Sequence, residues 1–127
     1  MKRLLTIAMA VLLMSNSVVQ DGDKDTFATI KAIFIFNFST LCDWPKEDKT
    51  GNFVIGVYGE TNLYSELVKK YSSKSIGSQP IEIKKFTSQS SIEKCHILYI
   101  TGANSSKVDD IADDFSGEST LIETESS

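Results

Sequence analysis

Residues 53–58, Phe53-Val54-Ile55-Gly56-Val57-Tyr58, form a continuous apolar run of strand length, rich in β-branched side chains and followed by Gly59. No polar residue alternates with the apolar ones, which is the pattern of a strand buried on both faces. His96-Ile97-Leu98-Tyr99-Ile100 is a second run of that kind. Two strands covered on both faces call for helices above and below a sheet. The expected class is therefore α/β, a small mostly parallel or mixed sheet with helices on both faces.

Working outward, Asn62 to Ser72 follows helical spacing: Leu63, Tyr64, Leu67, Val68 and Tyr71 share one face, while Glu66, Lys69 and Lys70 face water. Ser72 to Gln79 reads as a polar turn region around Gly77, and Pro80 opens a strand that runs to Phe86. There Ile81 and Ile83 alternate with charged residues, which predicts one wet face and a place at the sheet edge. Thr87 to Lys94 is a Ser-rich connector with one helical turn near Ser91. After the strand at 96–100, Thr101 to Ser105 is a turn, and Ser105 is expected to cap a helix over Lys107 to Phe115. Val108, Ile111, Ala112 and Phe115 would face inward on that helix. Ser119 to Thr124 carries a last strand through Leu121 and Ile122. The order is α-β-α-β-β-α-β, and right-handed crossovers place strand 53–58 between strands 80–86 and 96–101.

The first helix precedes all of this. Asp25 or Thr26 is a fair N-cap, and the helix runs to about Leu41. Its later part, Lys31-Ala32-Ile33-Phe34-Ile35-Phe36-Asn37-Phe38-Ser39-Thr40-Leu41, is apolar around nearly its whole circumference, which predicts a central, buried element. A buried Asn37 would need hydrogen-bond partners, so it reads as a fastener between the helix and neighbouring backbone. Trp44-Pro45 ends the helix, because the residue before a proline is pushed out of the α region; Trp44 is expected to seal the end of the core.

Met1-Lys2-Arg3, an apolar run from Leu4 to Met14 and the small-x-small Ser15-Asn16-Ser17 read as a cleaved secretory signal peptide over residues 1–17. Residues 18–127 would then form one exported domain without a membrane anchor. The chain holds 13 basic and 17 acidic residues, a net charge of −4, and loss of the segment's two basic residues lowers it to −6. That balance argues against nucleic acid and against an anionic membrane surface as partners. In an oxidising compartment the pair Cys42 and Cys95 reads first as a disulfide, with two separate buried thiols as the alternative. The chain stops just after the strand at Leu121-Ile122, an unusual end for a small domain, and reads as lacking a C-terminal portion.

Ligands of open α/β sheets sit outside the carboxyl ends of the strands. Two loops lie there, Gly59-Glu60-Thr61-Asn62 and Gly102-Ala103-Asn104-Ser105, and both could offer backbone N–H groups to an anion. Neither matches a phosphate-binding fingerprint, so plain turns and caps remain the simpler account. His96, the single histidine, has no nucleophile motif beside it and lies at a strand start, so it reads as structural. Asp109-Asp110 and Asp113-Asp114 read as a solvated helix face. No cofactor, metal or catalytic residue is expected.

Several motifs, taken in order, resemble the YfiR (HmsC-like) periplasmic family. They are Lys31 to Phe38 leading to Trp44-Pro45, Val54 to Gly59, Ile76-Gly77-Ser78-Gln79-Pro80-Ile81, Cys95 to Ile100, and Thr120-Leu121-Ile122. The resemblance covers essentially all of the chain after residue 17, and it makes Asn37, Trp44 and Pro45 a family signature. It implies a non-enzymatic periplasmic regulator that restrains an inner-membrane signalling protein of diguanylate cyclase type by binding its periplasmic part, and so influences cyclic-di-GMP and biofilm output. The alternative is a periplasmic small-molecule sensor feeding another membrane signalling protein, such as a sensor kinase. Homodimerisation is left open. In cysteine-containing relatives the partner of the Cys95-like residue occupies the position of Gly56, so a Cys42–Cys95 bond would be a different link. The family also continues past the Leu121-Ile122 strand with further strands and a closing helix.

Overall fold

A computed structural model describes residues 26–59 and 61–125. The expected signal segment 1–17, the Asp25 cap and Glu60 lie outside the described residues, so the structure bears on none of them. Helix α1 covers residues 26–41. It is followed by a 3-10 turn at Lys46–Lys49, strand β1 (Phe53–Tyr58), helix α2 (Asn62–Tyr71) and strands β2 (Ser75–Ile76) and β3 (Gln79–Phe86). A 3-10 turn at Gln89–Ser91 leads to strand β4 (Ile97–Ile100). The 3-10 segment Gly102–Lys107 then runs directly into helix α3 (Val108–Asp114), ahead of strand β5 (Leu121–Thr124).

The sheet order is β2-β3-β1-β4-β5. β1 pairs in parallel with β3 on one side (Ile55 opposite Ile83) and with β4 on the other (Ile55 opposite Ile97), and β4 pairs in parallel with β5. The two continuous apolar runs thus occupy adjacent central positions, where both faces are covered, and the α/β class read from the sequence holds. Side-chain alternation divides the core in two. Phe53, Ile55 and Val57 of β1, with Ile97 and Tyr99 of β4, pack against Ala32 and Ile35 of α1 and Leu63 and Leu67 of α2. On the opposite face Tyr58, Leu98 and Ile100 pack with Phe86 and Cys95 against Ile111 of α3. Full burial of Leu63 and Leu67 contributes about 2 kcal/mol each from apolar transfer.

Four expectations change. β3 is not the sheet edge: antiparallel β2 lies outside it, joined by a turn in which Gly77 takes φ 58°. Two residues are too few to show an alternating pattern, so this strand is invisible to periodicity. Ser105 does not cap α3, because helical winding already begins at Gly102 and Lys107 stands at the α3 N-cap without a side-chain cap bond. Ala112 is exposed, leaving Ile111 as the buried anchor of α3 with Val108 and Phe115 half-buried.

The largest change concerns α1. The helix lies on one face of the sheet, with Ala28, Ala32, Ile35 and Ser39 buried beneath it. Phe27, Ile30, Ile33, Phe34, Phe38 and Leu41 remain exposed. Asn37 is exposed as well, and its carbonyl accepts the Thr40 hydroxyl at 2.7 Å. An apolar circumference shows that a helix can be buried all round; it does not show which faces this sheet covers.

Candidate functional site

The two loops expected at the ligand end do meet at the carboxyl ends of β1 and β4. They meet by packing on each other. Gly59 takes φ +109°, and a Cβ placed there would stand 2.2 Å from the Thr101 hydroxyl oxygen and 2.6 Å from the Asn104 side-chain nitrogen. The glycine is required by that approach and by its left-handed backbone. The Gly59 N–H donates to the Phe86 carbonyl and the Thr101 N–H to the Tyr58 carbonyl, both at 3.1 Å, continuing the parallel ladders past the strand ends. The Asn104 amide donates to the Thr101 hydroxyl at 3.2 Å. Thr61 caps α2, its hydroxyl accepting the Leu63 N–H at 3.3 Å.

The Gly102 backbone donor is also in use. The Gly102 N–H donates to Glu125 at 3.0 Å, so the anion partner of that loop is a carboxylate of the same chain. Glu125 also accepts from Lys31 of α1, which ties the first helix to the chain beyond β5. Burial pushes the Glu125 carboxyl up, but Lys31, the Gly102 N–H and Tyr99 outweigh it and hold the group below the ordinary carboxylate value. Of the expected loop residues, Gly59 and Asn104 are brought together. Asn62 lies apart, with Thr61, in a cleft of about 230 Å³ bounded by Phe27, Ala28 and Lys31. The Ser105 carbonyl accepts the Val108 N–H.

The opposite, amino end of the sheet holds a cluster that the sequence reading passed over. A cleft of about 170 Å³ is lined by Glu47, Asp48, Thr50, Val54, Lys94, Cys95, His96 and Ser119. Asp48, Cys95 and His96 in one cleft could suggest nucleophilic chemistry, but their bonds are already spent within the fold. His96 Nδ1 accepts the Val54 N–H at 3.1 Å, and Nε2 is 2.7 Å from the Asp48 carbonyl oxygen, an arrangement that fixes the neutral Nε2–H tautomer. Its ring stacks on Phe53 at 4.3 Å and meets the edge of Trp44 at 5.5 Å. The Cys95 thiol donates to the Glu93 carbonyl at 3.1 Å. Burial pushes this thiol up to about 12, so it is not a thiolate at neutral pH. Lys94 bridges Asp48 at 3.2 Å and Glu118 at 3.1 Å. The cluster closes the bottom of the core; it presents no free nucleophile–base pair.

Trp44 completes that closure. Its indole N–H donates to the Ser39 carbonyl at 3.2 Å, satisfying one of the orphan carbonyls at the end of α1. The ring lies edge-on to Phe53 at 5.5 Å. Pro45 stands at the N-cap of the 3-10 turn that follows.

The expected disulfide is absent. Cys42 and Cys95 are both free thiols, Cys42 against the α1–α2 face of the sheet and Cys95 against the α3 face, so the sheet itself separates them. Gly56 is the residue that faces Cys95: a Cβ there would lie 2.7 Å from the Cys95 sulfur.

A family profile described as YfiR/HmsC-like matches residues 28–127. The chain belongs to the YfiR/HmsC-like family. No match is found among curated proteins or among solved structures. Membership in the YfiR/HmsC-like family carries a coarse functional assignment, that of a periplasmic regulatory protein. Among the described residues no helix is long and apolar enough to cross a membrane, and no group of His, Cys, Asp and Glu could hold a metal ion.

Proposed function

We propose that this chain is an exported regulator that binds the periplasmic part of an inner-membrane signalling protein and restrains it. The partner proposed is of diguanylate cyclase type, so that the protein lowers cyclic-di-GMP and limits biofilm. The observation that carries this proposal is the YfiR/HmsC-like match over residues 28–127. The site geometry is in keeping with it. The loops at the carboxyl end of the sheet are packed against each other, and Asp48, Lys94, Cys95 and His96 of the amino-end cleft are bonded within the chain, as in a scaffold that acts through its surface. The regulator works, on this account, by mass action: bound to the membrane protein, it stabilises the inactive state by its differential affinity for that state. Affinity capture from crosslinked whole cells tests this. Recovery of an inner-membrane protein with a cytoplasmic cyclase domain is expected, and repeated recovery of no membrane signalling protein would refute it.

A further inference from the structure

Strand β5 ends the sheet: β4 pairs with one side of it, and among the described residues no strand pairs with the other. The Leu121 N–H donates to the His96 carbonyl at 2.9 Å and the Glu125 N–H to the Ile100 carbonyl at 3.4 Å. Backbone groups alternate sides along a strand, so the N–H and C=O of Ile122 and Thr124 point off the sheet. Leu121 and Ile122 are half-buried, each packed at the margin of one of the two cores. Glu123 shares the α1 face of the strand with Leu121, and one of its carboxylate oxygens is buried with no hydrogen-bond partner among the described residues. We propose that this edge is a docking site for an extended, basic segment of another polypeptide, which adds to β5 as a further strand.

Helix α1 supplies a wall for the added strand. On one flank of the helix Thr29 donates to Glu66, and Phe36 stacks on Tyr71 with centroids 4.4 Å apart, both partners belonging to α2. On the other flank Lys31 reaches Glu125, just past β5. Phe27, Phe34 and Phe38 stand four, three and seven residues from Lys31, spacings that share a helix face. They are 62%, 56% and 44% exposed. This apolar flank therefore overlooks the open side of β5, where a further strand would run about 4.8 Å out, and alternate side chains of that strand would rise against the rings. The opposite edge of the sheet offers no equivalent, because β2 is only two residues long.

Charge selects the occupant. Side chains directly across a strand pair stand about 5 Å apart, so the residue beside Glu123 is within reach of its unpaired oxygen. A Lys or Arg there satisfies that oxygen, an acidic residue repels it, and an apolar residue leaves it unpaired. The chain's net charge of −4 favours the same kind of partner at longer range. Beside Leu121 and Ile122 the segment meets apolar neighbours on either face of the sheet, so it is apolar there. A second β5 does not fit this edge, because its side chains on the α1 face are Leu121, Glu123 and Glu125, with no cation among them. The segment is thus a basic residue set among alternating apolar ones.

The test is a library of random peptides about ten residues long, the upper length of an ordinary strand, displayed on phage and panned against protein purified from cells expressing the entire chain. Enriched peptides are expected to carry a Lys or Arg among β-branched or aromatic residues. Hydrogen exchange then reads the site: the Ile122 and Thr124 amides should exchange freely in the protein alone and slow by about ten-fold or more with an enriched peptide bound. Thr124→Pro is tolerated at an edge whose N–H faces outward, so it should leave the far-ultraviolet dichroism unchanged and weaken the peptide by about ten-fold or more. Glu123→Gln should weaken a Lys-bearing peptide about ten-fold, with the fold again intact. Enrichment of no peptide or of acidic ones, protection of other amides instead, Ile122 and Thr124 amides already protected in the protein alone, or binding indifferent to both variants would overturn the proposal.

Discussion

Gly56→Cys is expected to create a disulfide with Cys95 that the natural chain lacks. The ideal Cβ at position 56 lies 2.7 Å from the Cys95 sulfur, close to the separation of a Cβ and the far sulfur within a disulfide. The same Cβ would stand 2.6 Å from the edge of the Phe86 ring, which must shift to admit it. Overpacking of that kind costs about 1–3 kcal/mol. Closing the loop between positions 56 and 95 contributes about 4 kcal/mol in the chain-entropy estimate. The reduced variant should therefore be less stable than the natural chain by about 1–3 kcal/mol, and the oxidised variant more stable by roughly the same amount. Urea unfolding with and without reductant measures both, and thiol titration of the native protein counts the free cysteines. The reasoning fails if both thiols stay titratable after oxidation, or if reductant leaves the midpoint unchanged. The natural chain, with its cysteines on opposite faces of the sheet, should show no dependence on reductant.

Two further perturbations test the interior. Glu123 lies opposite Tyr99 on β5, with one carboxylate oxygen buried and lacking a hydrogen-bond partner among the described residues; burial pushes its carboxyl above the ordinary value. Such a group binds its proton more tightly folded than unfolded, so its contribution to stability is lost as pH rises through the folded value. Glu123→Gln should therefore raise the melting temperature at neutral pH and have little effect near pH 4; an equal shift at both would contradict this assignment. Trp44→Ala should cost about 3–5 kcal/mol by emptying the space beside the stacked Phe53 and His96 rings. Trp44→Phe should cost about 1–2 kcal/mol, chiefly for the lost bond to the Ser39 carbonyl. Chemical denaturation orders the three proteins, and a Phe variant as weak as the Ala one would refute the division between packing and hydrogen bonding.

The central sheet was legible because β1 and β4 carry no polar residue inside their runs, a pattern that only two-sided burial accommodates. The crossovers followed from handedness alone. β2 was not legible, since Ser75–Ile76 is too short to have a period. α1 was misjudged for a related reason: its apolar residues fill both a core-facing and an outward stripe, and the sequence does not say which stripe the sheet covers. The exposure of Asn37 follows from that. The loops after β1 and β4 lie at the carboxyl end of the sheet, as the order of elements requires, but their closure depends on Gly59 meeting Thr101 and Asn104, contacts between segments distant in the chain. The bonding of His96 to Val54 and the Asp48 carbonyl was equally out of reach, because a lone histidine at a strand start reveals nothing about its partners.

The central claim is that this YfiR/HmsC-like protein restrains a membrane signalling partner. Cellular cyclic-di-GMP, measured in a clean deletion and in the same strain with the gene restored, tests it most directly. The account predicts a rise on deletion and a return on restoration; a level unchanged by deletion would contradict it.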